Sequence, residues 1–108
     1  MAVNCTTLEE VRDNIDRLDQ QIVTLLAERG RFVSQAARFK KDTDGVKAPQ
    51  RVEQVIAKVR GLAESVGASP EVTEQVYRAM IAAFIEQELA DHAVLAGLGN
   101  TSPTHTNP

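Results

Sequence analysis

Apolar residues recur at Leu8, Val11, Ile15, Leu18, Ile22, Leu25, Phe32 and Ala36 with no proline between them. Steps of three, four and seven are helical steps, so this stretch predicts one unbroken amphipathic helix from Thr7 to about Lys41. At 1.5 Å per residue it is roughly 50 Å long. A compact domain of about 100 residues has a radius of gyration of only ~13 Å. A chain of 108 residues therefore cannot wrap such a helix with what remains of it. A second copy is the natural cover, and the expectation is an intertwined helical homodimer.

Two breaks divide the rest. The run Asp42-Thr43-Asp44-Gly45-Val46-Lys47-Ala48-Pro49 ends the first helix, and Gly67-Ala68-Ser69-Pro70 separates two more. Pro49 suits the first turn of a helix, which continues through Val52, Val55, Val59, Leu62 and Val66 to Gly67. Ser69 reads as the N-cap of a third helix with Pro70 at its first position, and Thr7 with Glu10 has capping-box spacing at the start of the first. The third stripe is Val72, Val76, Ala79 or Met80, Ala83 and Phe84, fading near Ala93. No segment alternates as a strand would. The chain thus reads as all-α, with long, short and long helices in a domain over residues 1–96. Residues 97–108, rich in Gly, Ser, Thr, Asn and Pro, read as a disordered tail.

Composition narrows the function classes. A net charge of -3 and 4% aromatic residues, with no Trp, provide neither a broad cationic footprint nor a base-stacking platform, so no nucleic-acid partner is expected. No apolar run is long enough for a bilayer. Met1–Glu10 has neither a basic start nor an apolar core of a secretory signal. One cysteine, Cys5, allows no internal disulfide and fits a reducing cytoplasm. Asp13, Asp16 and Asp19 suit a helix N-terminus rather than a metal, and neither His92 nor His105 has ligand spacing. No metal and no cofactor is expected.

Polar residues interrupt the stripes at telling places. The series Leu8, Ile15, Ile22 continues at Arg29, and Lys40, eleven residues on, returns to within about 20° of the same helix face. Cations on a buried stripe need anionic partners, because desolvation costs several kcal/mol each. Arg29 pairing with a glutamate and Lys40 favouring a helix C-terminus is one reading. A ligand site is the other. Arg12 lies roughly 25 Å along the helix from Arg29, so both can serve one small ligand only if Arg12 comes from a second chain. Arg51 falls in the first turn of the second helix, where the dipole gives a cation no advantage. In the third helix the apolar face leads by i+4 from Phe84 to Glu88. Four cations and one carboxyl on apolar stripes suggest a pocket for a small dianion, since arginine matches carboxylates through its two-pronged geometry.

Those residues carry a resemblance. Cys5-Thr6-Thr7-Leu8-Glu9-Glu10-Val11-Arg12, Ile15-Asp16-Arg17-Leu18-Asp19, Leu25-Leu26-Ala27-Glu28-Arg29, Ala36-Ala37-Arg38-Phe39-Lys40, Ala48-Pro49-Gln50-Arg51-Val52 and the segment Tyr77 to Leu89 resemble the all-α, type II chorismate mutase family. That family includes the related isochorismate-pyruvate lyase of salicylate and siderophore biosynthesis. The resemblance spans about residues 5 to 92. It implies an intertwined homodimer with two equivalent sites. It assigns the substrate carboxylates to Arg29, Arg51 and the other subunit's Arg12, and the substrate ether oxygen to Lys40 and Glu88. Lys40, Glu88 and Arg29 are then the catalytic residues. The substrate-binding set is Arg12 and Arg51 with Val33, Val46, Val52, Val55 and Phe84.

The implied chemistry is pericyclic: one C–O bond breaks as a C–C bond forms, so the protein supplies a folded substrate and positive charge at the ether oxygen. Two positions depart from the mutase pattern. Many mutases carry acids on either side of the helix-two arginine, where this chain has Ala48 and Val52, as the lyase does. Glu88 stands where Gln is usual, as in some mutases, and must be protonated to donate a hydrogen bond. The expectation is chorismate mutase first, isochorismate-pyruvate lyase second and, from another class, a non-catalytic helical dimerisation module.

Overall fold

The computed structural model of the protein describes residues 4–40, 45 and 47–96, with backbone only at 92 and 94–96. Three long helices account for most of it, in chain order α1 (Leu8–Ala37), α2 (Pro49–Val66) and α3 (Pro70–Ala96). Val46 and the expected tail at 97–108 lie outside the described residues. The chain divides into two compact units, Met1–Gln35 and Ala36–Pro108.

In the first unit, α1 starts where the capping pattern predicts, with a shift of one residue in its second half. Thr7 Oγ1 accepts from the Glu10 backbone N–H at 3.0 Å. Glu10 Oε1 reaches back past Thr7 to the Thr6 N–H at 2.7 Å and the Thr6 hydroxyl at 3.1 Å. The Thr6 N–H, then its hydroxyl, holds the Glu10 carboxyl below its ordinary range. Asn14 ties the preceding segment down, donating to Glu10 O at 2.9 Å and to Cys5 Sγ at 3.6 Å.

The helix has 30 residues, ~45 Å, and none is buried within the single chain. The apolar series is present on one face and open: Leu8 is 61% exposed, Ile22 53% and Phe32 63%. It ends at Ala37, four residues short of the Lys41 that the periodicity predicts. Phe39 N–H bonds to Ala36 O at 3.0 Å and Lys40 N–H to Ala37 O at 3.2 Å. These i→i+3 bonds tighten the last turn into a stop.

The second unit is built on a helical hairpin in which α2 packs along α3. The turn between them forms as its residues dictate. Gly67 takes φ 80°, its N–H bonds to Glu64 O at 3.4 Å, and Ala68 N–H bonds to Ala63 O at 2.8 Å, the paired bonds of a Schellman stop. Ser69 Oγ then accepts from Val72 N–H at 3.1 Å and Pro70 opens α3. Within the single chain only part of the expected stripes is buried. Ile56, Val59 and Ala63 of α2 and Ile81 of α3 form the hairpin core. Leu62, Val66, Val72 and Val76 are exposed, while Val52 and Val55 are half-buried. The reason is rotational. The facing side of α2 centres between Ile56, Val59 and Ala63, which leaves Leu62 on its flank, and Val66 and Val72 flank the turn where little remains to cover them.

One flank of the hairpin carries a chain of charges. Arg78 grips Glu53 with both terminal nitrogens, each at 2.9 Å, and donates from Nε to Glu74 at 2.7 Å. Glu74 accepts from Arg60 at 2.7 Å, and Arg60 reaches Glu71 at 3.3 Å and Pro70 O at 3.5 Å. Hydrogen bonds from Arg78 come first in holding both Glu53 and Glu74 below the ordinary 4.5. Carboxyls depressed by folding stabilise the fold above their ordinary pKa and lose that contribution as pH falls through the lowered values. Thermal melts between pH 6 and pH 3 should therefore drop more steeply in wild type than in Arg78→Gln. Parallel curves would show that these groups are not linked to stability.

Candidate active site

Lys40 stands just past the end of α1, released from the helix by the tight final turn. In the second unit its ammonium donates to Glu88 Oε2 at 3.2 Å. The Lys40 side chain is 25% exposed and that of Glu88 only 8%. Among the described residues Glu88 is the one charged side chain that is buried. It lies on the α3 face that buries Ile81, seven residues earlier, as a step of two turns requires. A buried carboxyl needs a charge-assisted partner, and Lys40 supplies it. The structure thus joins two residues 48 positions apart that sequence reasoning had assigned to the same substrate atom.

Arg51 is in the first turn of α2 and exposed, and it makes no ion pair with another described residue. Counting 100° per residue, Arg51 and Val55 lie on the flank of α2 opposite Glu53 and Arg60. The flank of α3 opposite Arg78 carries Tyr77 and Phe84, both half-buried. The hairpin therefore has a charge-paired face and, opposite it, a face with an uncommitted guanidinium beside apolar and aromatic groups. Val52 lies half-buried between them. In the first unit, Arg29 and Val33 are half-buried on α1, and Arg12 is exposed on its second turn. Gln87, next to Glu88, is on the surface, as its 100° offset predicts.

The start of α2, which carries Arg51, is unusual. Its N-cap is Ala48, at φ 31° and ψ 64°, a left-handed conformation that disfavours any side chain, and no side chain caps the helix. No acid occupies the first turn. The arrangement leaves the N-terminal N–H groups of α2 and the Arg51 guanidinium all positive, next to Pro49. The charge-paired face was the part of this neighbourhood that sequence reasoning missed. The i,i+4 pair Glu74–Arg78 was legible as a pattern. The Glu53–Arg78 grip spans 25 residues and needed the fold.

Residues 11–89 match the family model of chorismate mutase type II. The chain belongs to the chorismate mutase type II family. Isochorismate pyruvate lyase of Pseudomonas aeruginosa is 31% identical to it over 86 residues, which is 80% of this chain and 85% of the relative. Membership makes the protein an enzyme of the chorismate mutase type II family, and the three long helices among the described residues are consistent with an all-α fold. The matched region holds every site residue assigned from the sequence, from Arg12 to Glu88. No helix among the described residues is long and apolar enough to cross a membrane.

Proposed function

We propose that the protein is a chorismate mutase, rearranging chorismate to prephenate. The observation that carries this reading is the Lys40–Glu88 pair: an ammonium and a buried carboxyl at 3.2 Å, the two residues to which the sequence resemblance assigns the substrate ether oxygen. In the rearrangement the ether C–O bond breaks while a C–C bond forms between the side chain and the ring. The former ether oxygen becomes the ketone oxygen of the product. No proton moves and no covalent enzyme intermediate forms. The transition state accumulates negative charge on that oxygen, and a positioned ammonium stabilises it more than it stabilises the substrate. Arg29, Arg51 and Arg12 hold the two carboxylates and the folded conformation. Val33, Val46, Val52, Val55 and Phe84 form the apolar wall.

Two further elements belong to the proposal. The active form is a homodimer in which Arg12 reaches the other chain's site, and the uncovered apolar face of α1 supports it. A cytoplasmic setting fits a one-cysteine chain. A domain over 1–96 with a separate tail fits the family match ending at residue 89.

A second reading rests on its own observations. Ala48 and Val52, around Arg51, offer no acid to a chorismate hydroxyl, and the Pseudomonas relative is an isochorismate pyruvate lyase. The lyase reaction, which yields salicylate and pyruvate, is pericyclic as well and uses the same cations. Offering chorismate and isochorismate separately and identifying the products decides between them. Prephenate alone supports the mutase, and salicylate with pyruvate the lyase. Neither product would leave a non-catalytic dimerisation module.

Glu88 adds a prediction. In the substrate-free pair its carboxylate accepts from Lys40. Facing a developing oxyanion it has to donate, which requires a proton. Glu88→Gln, whose amide donates without gaining one, should therefore keep turnover at least at the wild-type level. A loss of more than about tenfold in Glu88→Gln removes the donor role from the mechanism.

A further inference from the structure

Arg51 has to be held in one place if it is to bind a carboxylate, yet the turn that carries it has little of the usual support. Ala48 caps α2 with no side-chain bond and a strained backbone, no acid offsets the exposed N–H groups, and the first fully buried residue is Ile56. Against that, Glu53 in the second turn of α2 is gripped in a two-pronged, parallel geometry, with both Arg78–Glu53 contacts at 2.9 Å. Arg78 is in turn anchored through Nε to Glu74, and Glu74 to Arg60. The grip is therefore tied to both helices along half the hairpin. A planar guanidinium on a carboxylate constrains orientation as well as distance. Glu53 lies about 200° around α2 from Arg51. Holding one side of the turn sets the rotation of the other.

We propose that Arg78 is a positioning residue for substrate binding: its grip on Glu53 sets the rotation and register of the first turns of α2 and so places the Arg51 guanidinium. The inference rests on the functional reading above. Arg78 itself is on the opposite face from Arg51 and touches no substrate. An isolated surface pair contributes little to stability. Placement of a binding cation is a separate effect, because small misplacements in a site are amplified in binding and rate.

The test uses the full-length protein with Arg78→Gln, Arg78→Lys and Glu53→Gln, each also in an Arg51→Ala background. The last variant leaves the Arg78–Glu74–Arg60 bonds in place, which guards against a fold defect. Arg78→Gln and Glu53→Gln should each raise KM about tenfold with kcat within about twofold. Arg78→Gln combined with Glu53→Gln should be no worse than either single change, since both cut one link. Lys, without the fork, should recover only part of the loss. In the Arg51→Ala background neither change should raise KM further. Backbone amides of residues 50–54 should exchange faster in both variants. An equal rise in KM with and without Arg51, or unaltered exchange at 50–54, overturns the proposal. If wild type converts neither chorismate nor isochorismate, the functional reading fails by itself, and the exchange data still decide whether the grip holds the turn.

Discussion

Replacing Lys40 by Ala should lower kcat about a thousandfold, while KM moves by less than tenfold. The ammonium is the group expected to meet charge that exists only in the transition state, and loss of one such donor costs on the order of 10² to 10³ in rate. Arg29→Ala, which removes a carboxylate contact present in substrate and transition state alike, should instead act largely on KM. Lys40→Ala has a second consequence that must be separated from the first. It leaves Glu88, 6% exposed, without its ammonium. A buried carboxylate deprived of its partner destabilises the fold by about 1–3 kcal/mol or takes up a proton. The melting temperature of Lys40→Ala should fall accordingly. The double variant Lys40→Ala with Glu88→Gln should regain most of the stability, because a neutral amide tolerates the site, and none of the turnover. Retention of turnover within threefold in Lys40→Ala would remove the residue from the chemistry.

Mixing two impaired proteins should restore activity when substrate is held well below the KM of either variant. If Arg12 serves the other chain's site while Arg29 serves its own, a heterodimer of Arg12→Ala and Arg29→Ala contains one intact site and one doubly damaged one. Random reassortment makes half the dimers mixed, so turnover should return to about a quarter of wild type. Each variant alone should remain far below that. The physical basis is the open stripe of α1, a 30-residue helix with no residue buried in its own chain. Ile22→Asp, which places a charge in the middle of that stripe, should yield a monomer by sedimentation equilibrium and abolish turnover, since burying an unpaired carboxylate costs several kcal/mol. An active monomer, or a mixture no more active than its parts, would rule out the shared site.

Particular residues show where sequence reasoning succeeds and where it stops. The Ser69-Pro70 start of α3, the Gly67 stop of α2 and the Thr7 cap of α1 were legible, because each is a local bond between residues at most five apart. Glu88 was legible as an anomaly, a carboxyl on an apolar face, and is buried. The end of α1 was not. Nothing at 37–41 forbids helix, and Lys40 leaves it to reach a carboxyl 48 residues on. Of the expected stripes Val59 is buried in the hairpin core, beside Ile56, Ala63 and Ile81, while Leu62, Val66, Val72 and Val76 stay exposed within the single chain. Several rotations of an apolar helix satisfy its periodicity, and only the partner helix selects one.

By itself the sequence determined three helices, the caps at Thr7 and Ser69 and the stop at Gly67, an apolar α1 face too long for its own chain to cover, and the residues that carry charge onto apolar faces. These are properties of the backbone and of side-chain spacing, and they hold before any long-range contact forms. Tertiary structure alone decided that Lys40 meets Glu88, which sides of α2 and α3 face each other, and that Arg78 grips Glu53 rather than water. Each of those depends on the relative rotation of segments far apart in the chain, a quantity that the spacing of residues along one helix does not contain.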